Sequence, residues 1–291
     1  MRPASVREWR DGGRWLPTAG GNVFVRSGLD GSADGPTVLL LHGFPSSSYD
    51  FRAVIGRLGQ RSWLTLDFLG FGLSDKPGRH RYSLLEQADI VQQVVADAAA
   101  SPVVVIAHDM GTSVTTELLA RDIDGTLPFE LQRAVLSNGS VILERASLRP
   151  IQKVLRSPLG PIAARLANRR MFTREFARLF AAAHPLSRDE AAAQWALVCH
   201  NGGHRIAHRL SAYLDERVRY AGRWHGAVRD WSKPLGFVWG LRDPVATTNV
   251  LAGLRELRPA APVVELSAVG HYPQIEDPDA FTGAALRLLT E

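Results

Sequence analysis

Five consecutive apolar residues, Val103-Val-Val-Ile-Ala107, run without a break into His108-Asp109-Met110-Gly111 and a helix-like stretch. A strand apolar at every position is buried on both faces, which belongs to a parallel sheet covered by helices on either side. Shorter β-rich apolar runs predict further strands at 23–26, 37–41, 62–67 and 133–137, and again at 235–239 and 262–266. Helical patterns alternate with them. Ser83-Leu-Leu-Glu86 reads as a capping box opening a helix through Ala100, with apolar residues at 84, 85, 88, 91, 94 and 95. More helices are predicted near 248–257 and over 278–289. This alternation predicts the α/β class.

Residues 141–232 break the alternation. They are Ala-, Arg- and Leu-rich, helical in period, and interrupted at Pro150, Pro158, Pro161, Pro185 and Gly202-Gly203. The layout predicted is a core over 1–140, an all-helical cap over 141–232, and a second core part over 233–291 that completes the same sheet. Charge divides along the same lines. The chain carries 34 Lys+Arg against 29 Asp+Glu, and 16 basic against 7 acidic residues fall in the cap, so the cap is +9 and the core −4. No nucleic-acid module accompanies the basic segment, so it is read as solvated helices whose Arg stems cover apolar surface. At 45% hydrophobic and 22% charged residues over 291 positions, the composition excludes a disordered chain, and one cysteine, Cys199, excludes an internal disulfide. With no secretory pattern at the start and no apolar run long enough for a membrane span, a cytoplasmic protein is expected.

The strand-to-helix turn carries the chemistry. Gly-x-Ser-x-Gly marks the sharp elbow that exposes a nucleophile above an α/β sheet. Here the elbow reads Ala107-His108-Asp109-Met110-Gly111, which puts Asp109 at the nucleophile position between two small residues. A carboxylate there forms an ester and splits one hard displacement into two easier steps. Alternatively, Asp109 merely caps the helix. Two further loops weigh on the choice. Gly270-His271-Tyr272 supplies a base after the last strand, and Gly240-Leu-Arg-Asp243-Pro244 supplies a carboxylate after the preceding one. The chain order of nucleophile, acid and His suits this fold, and all three stand at carboxyl ends of strands, where open α/β sheets bind ligands. As a base His271 must be neutral, so activity is expected to fall at low pH.

Together with His42-Gly43-Phe44-Pro45 and Asp67-Phe-Leu-Gly70-Phe-Gly72-Leu-Ser74-Asp-Lys76-Pro77, these residues resemble the α/β-hydrolase superfamily, in particular its Asp-nucleophile branch of epoxide hydrolases and haloalkane dehalogenases. The resemblance spans nearly the whole core. It implies a mostly parallel central sheet flanked by helices, with the all-helical cap inserted after the sixth strand. It also implies an oxyanion hole made by the backbone N–H groups of Phe44 and Met110. Dehalogenases hold the halide with a Trp after the nucleophile and commonly an Asn after His-Gly; Met110 and Phe44 occupy those places. Fluoroacetate dehalogenases put an Arg where Met110 stands. Epoxide hydrolases keep His-Gly-Phe-Pro but usually have a Trp where Met110 stands, and they protonate the epoxide oxygen from two cap tyrosines, for which Tyr213 and Tyr220 are the candidates. These are seven apart and share a face if one helix carries both. The sequence also resembles the mesoderm-specific-transcript-like hydrolases through its His-Asp-x-Gly elbow, Asn138-Gly139, Arg223-Trp224 and Gly-His-Tyr-Pro-Gln.

The expectation is therefore an epoxide hydrolase acting on a small apolar electrophile and giving a vicinal diol, without cofactor or metal. Haloalkane dehalogenase-like or esterase/lactonase activity is the alternative, as is a non-catalytic binding protein on the same scaffold. His42, His108, Asn138 and Trp195 are candidate pocket residues. Asn138 and Glu144 stand where some members of the superfamily place the triad acid. His200, His204 and His208, spaced i, i+4, i+8 beside Cys199, imitate a metal site, but Asn201-Gly202-Gly203 interrupts the helix that would align them.

Overall fold

The computed structural model describes residues 4–29 and 35–290. One sheet organises them. Its strands are β1 (Arg14–Thr18), β2 (Gly21–Gly28), β3 (Thr37–Leu41), β4 (Trp63–Leu66), β5 (Val103–His108), β6 (Leu131–Ser137), β7 (Leu235–Gly240) and β8 (Val263–Leu266). Their spatial order is β1-β2-β4-β3-β5-β6-β7-β8. β2 runs antiparallel to both neighbours, and every pairing from β4 onward is parallel.

The apolar runs that predicted the central strands are explained by burial on two faces. Val103, Val105 and Ala107 of β5, with Leu39 and Leu41 of β3, enter one core. Val104 and Ile106, with Val38 and Leu40, enter the other, against the closing helix Pro278–Thr290. Alternate side chains of a strand point to opposite faces, so a sheet covered twice needs apolar residues at every position. All seven predicted strands are present, within two residues at either end.

β1 lacked such a signal. It is an edge strand, half exposed, and carries Pro17 opposite Asn22. A sheet edge tolerates a residue without an N–H, and polarity on the open side hides the strand in the sequence. The predicted capping box also fails. Ser83 Oγ accepts from Leu85 N–H at 3.2 Å, but Glu86 turns away and pairs with His80 at 2.8 Å. The Leu84 N–H, another donor of the first turn, is taken by the Glu216 carboxylate at 2.6 Å, an acceptor 132 residues downstream. That helix ends at Asp97, three residues short of the expectation, where Ala99 adopts φ 48°.

Between β6 and β7 only helices occur. Their docking depends on Glu117 of the helix Met110–Ile123, whose carboxylate accepts from Trp224 Nε1 and Arg223 Nε, both at 2.9 Å, and from Arg121 Nε at 3.0 Å. Asp122, one turn on, accepts from Trp231 Nε1 at 2.6 Å. Among the described residues no helix is long and apolar enough to cross a membrane.

Candidate active site

The elbow is built by close approach. An added Cβ on Gly111 would lie 2.4 Å from the Leu41 carbonyl oxygen, and one on Gly43 would lie 2.7 Å from Asp109 Cβ. Only glycine at both positions lets the loop after β3 lie against the turn after β5. Asp109 itself holds φ 43° and ψ −108°, a costly conformation for a residue with a Cβ. It is buried, and its side chain does not cap the helix behind it. Instead, Asp109 Oδ2 accepts from the Phe44 N–H at 2.9 Å. Met110, predicted as the second backbone donor, opens the helix directly after it.

His271 and Asp243 meet at the same end of the sheet. His271 Nδ1 lies 2.7 Å from Asp243 Oδ2. Asp243 Oδ1 accepts from the N–H groups of Val245 and Ala246 at 2.7 and 3.0 Å, which fixes the carboxylate. Asn138 takes a supporting place: its Nδ2 donates to Asp243 Oδ2 at 2.8 Å and its Oδ1 accepts from Gly240 N–H at 2.9 Å. Glu144 lies exposed and takes no part in this group.

Electrostatics separate the ring nitrogens of the site. Burial disfavours charge on His271, but Asp243, by charge and by hydrogen bond, and then Asp109 and Glu276 outweigh it and push its pKa up to about 9. The charges around His271 therefore favour its protonated form while Asp109 is ionised, and the base step asks for the neutral ring. Burial, reinforced by the charge of His271, brings His108 down to about 3. His108 Nε2 lies 2.7 Å from the His271 carbonyl, so this neutral ring holds the loop that carries His271. His42 is likewise held neutral by burial. It accepts from Phe68 N–H at Nε2 (3.0 Å), which leaves Nδ1–H to donate to Gly43 O at 2.8 Å. Both rings are buried and make these main-chain contacts.

The tyrosines diverge. Tyr213 is buried, with its ring 5.6 Å from that of Phe44 and in the field of Asp109. Tyr220 follows the end of the helix Tyr213–Arg219 and packs on Trp224 at 5.5 Å. One continuous helix does not carry both, so the shared face does not form. Trp195 contacts Phe172 and His204, and is linked to His271 through the ring sequence Phe172, Phe176, Tyr272. The His200–His208 run is kinked at Asn201 and Gly202, both at positive φ, and among the described residues no three His, Cys, Asp or Glu side chains are grouped to hold a metal.

One residue escaped the sequence reading. Arg217, from the basic segment taken to be solvated, is 1% exposed. Its Nε donates to Ser113 Oγ at 2.8 Å and its Nη2 to the Asp109 carbonyl at 3.2 Å, and Nη2 stands 3.5 Å from Asp109 Oδ1. Burial alone would raise the Asp109 pKa, but Arg217 first, then His271 and the Phe44 N–H, bring it below the usual value. A signal existed: Arg217 lies four residues after Tyr213 and three after Leu214, on the buried face of its helix.

A mostly parallel eight-stranded sheet with a polar elbow after its central strand, an Asp–His pair after the last two strands and helices inserted after the sixth defines an α/β hydrolase. The α/β hydrolase fold family matches residues 36–278, and the chain belongs to it. Among individual proteins it is 72% identical over 291 residues to Mycobacterium tuberculosis LipZ, a hydrolase by provisional name, with all of both chains covered. It is 33% identical to the mesoderm-specific transcript protein of Mus musculus, over 98% of this chain and 87% of that one. The crystal structure of haloalkane dehalogenase DbeA from Bradyrhizobium elkani superposes with a TM-score of 0.79 at 21% identity, covering 96% of this chain and 97% of that one, a likeness of fold. The protein is an enzyme of the α/β-hydrolase type.

Proposed function

We propose that this hydrolase works through Asp109 as a carboxylate nucleophile and that its substrates are small apolar epoxides, which it opens to vicinal diols. The carrying observation is the asymmetry of the Asp109 carboxylate: Oδ2 is held by the Phe44 N–H, while Oδ1 takes no backbone donor among the described residues and faces Arg217 at 3.5 Å, in a site where Asp109 and His271 act on each other by charge. In this reading residues 1–140 and 233–291 form the core, and 141–232 form a cap that closes over it.

Asp109 Oδ1 attacks an epoxide carbon and the C–O bond breaks. The oxygen leaves with the bonding pair and takes a proton from the Tyr213 hydroxyl. The product is a hydroxyalkyl ester. His271, oriented by Asp243, then takes a proton from water as that water adds to the ester carbon. Negative charge gathers on Oδ2, where the N–H groups of Phe44 and Met110 stabilise it. Esterification removes the charge of Asp109, one of those that keep the proton on His271, so the ring gives up that proton, through solvent, to the Tyr213 phenolate left by ring opening and is free to act as base. Halide release is less well served, since Met110 and Phe44 bring no side-chain donor for a leaving halide.

The test is a single turnover of styrene oxide in heavy-oxygen water, with excess enzyme. The label should enter the Asp109 side chain, and His271→Gln should accumulate an adduct of enzyme plus substrate mass. Label passing into the diol with none in Asp109 overturns the covalent scheme.

A further inference from the structure

Arg217 is the buried exception among the sixteen basic residues of 141–232. Taking a guanidinium out of water costs several kcal/mol unless its hydrogen bonds and charge are met. Here they are met by the candidate nucleophile and its surroundings: Ser113 Oγ, the Asp109 carbonyl, Asp109 Oδ1, and the face of Tyr213, 4.6 Å from the guanidinium carbon. Ser113 lies one helical turn beyond Asp109, so the anchor and the target sit on one rigid element. The two oxygens of Asp109 therefore face different partners. Oδ2 has a neutral backbone donor, and Oδ1 has a fixed cation at 3.5 Å.

The consequence depends on which way charge moves at Oδ1. In the first step of the proposed reaction, Oδ1 loses negative charge as the ester forms, and a cation beside it does not assist that loss. In the second step the charge returns. Water adds to the ester carbon and its proton passes to His271; the Oδ2 oxyanion then collapses to a carbonyl. The bond from the carbon to Oδ1 breaks, its electron pair stays on Oδ1 as the alkoxide of the product, and that alkoxide takes the proton back from His271. Asp109 is left as a carboxylic acid, whose proton passes to the neutral His271 ring to regenerate the resting site.

We propose that Arg217 is a catalytic residue of the second half-reaction, where it stabilises the alkoxide that departs from Asp109 at Oδ1, and that Ser113 positions it for this. This role rests on the Asp109 reading above. It assigns to the cap a part in releasing product, in addition to covering the site.

The experiment follows styrene oxide by quenched flow and intact-protein mass spectrometry in wild type, His271→Gln, Arg217→Met, Arg217→Lys and Ser113→Ala. Adduct on His271→Gln establishes the Asp109 reading independently of Arg217; its absence overturns that reading and this role with it. Given that adduct, Arg217→Met should form ester within a few-fold of the wild-type rate and hydrolyse it about 100-fold more slowly, the usual cost of one preorganised donor at developing charge. Arg217→Lys should recover part of the loss, as should guanidinium added to Arg217→Met. Ser113→Ala should slow the same step by a smaller factor, which keeps the test valid if Arg217→Met does not fold. Ester hydrolysis at the wild-type rate in these variants, or a loss confined to ester formation, overturns the role.

Discussion

Asn138 and His271 converge on one oxygen of Asp243: the amide Nδ2 donates to Oδ2 at 2.8 Å, and His271 Nδ1 lies 2.7 Å from the same atom. Asn138 reaches it because its backbone is at φ 44°, a conformation Asn tolerates better than most residues. With Asn138 gone, Asp243 keeps the Val245 and Ala246 amides on Oδ1 but is free to rotate about them. Asn138→Ala should lower kcat on styrene oxide by about 10–100-fold, the range typical of losing a partner that orients a site ligand. KM should change much less. Steady-state kinetics check this, with the melting temperature as a control for strain.

The proton on His271 should answer to Asp109. Removing a neighbouring negative charge lowers a histidine pKa, so Asp109→Asn should bring His271 down from about 9 toward its ordinary range. An imidazole NMR titration of wild type and variant reads this directly. In the wild type, hydrolysis of a preformed ester should rise with pH and level off below pH 9, because the esterified site no longer contains that charge. A plateau only above pH 9 would show that esterification does not release the base.

Asp50 offers a stability test of opposite sign to an ordinary ion pair. It is buried and accepts from Gln194 Nε2 at 2.7 Å and from Ser46, and burial pushes its pKa up to about 7. The folded protein therefore holds this proton more tightly than the unfolded chain, whose aspartate titrates near 4. Stability from this group is present at acid pH and falls as pH rises through about 4 to 7. Asp50→Asn should be near neutral at pH 4 and stabilising at pH 8 by up to roughly 4 kcal/mol. Urea unfolding at the two pH values measures the difference.

Glu117 should prove costly to remove. Its carboxylate gathers Trp224, Arg223 and Arg121 at the seam between the elbow helix and the helices inserted after β6. Their charge and hydrogen bonds outweigh burial and keep its pKa below the usual value. Glu117→Ala leaves the buried Trp224 indole N–H without that acceptor and should destabilise the protein by about 3 kcal/mol or more. Glu117→Gln, which preserves the shape, should cost less. Thermal unfolding distinguishes the two.

The sequence determined what depends on neighbours along the chain. Apolar residues at every position marked the buried strands, the helical period marked the segment 141–232, and small residues at 107 and 111 marked an elbow with Asp109 at its tip. Strand ends placed Asp243 and His271 with it, because in a parallel sheet the loops after successive strands emerge at one end. What the tertiary structure decided involves partners far apart in sequence. Glu86 satisfies the local capping pattern, yet its carboxylate goes to His80, and the first-turn N–H of Leu84 is taken by Glu216, 132 residues downstream. Tyr213 and Tyr220 are alike in sequence, but the end of a helix at Arg219 sends one to the site and the other to Trp224. Arg217 reads as one more surface charge in a basic segment. Only the packing of its helix on the elbow, 108 residues away in the chain, brings the guanidinium to Asp109, because the cost of burying a charge is repaid by groups that folding alone brings into contact.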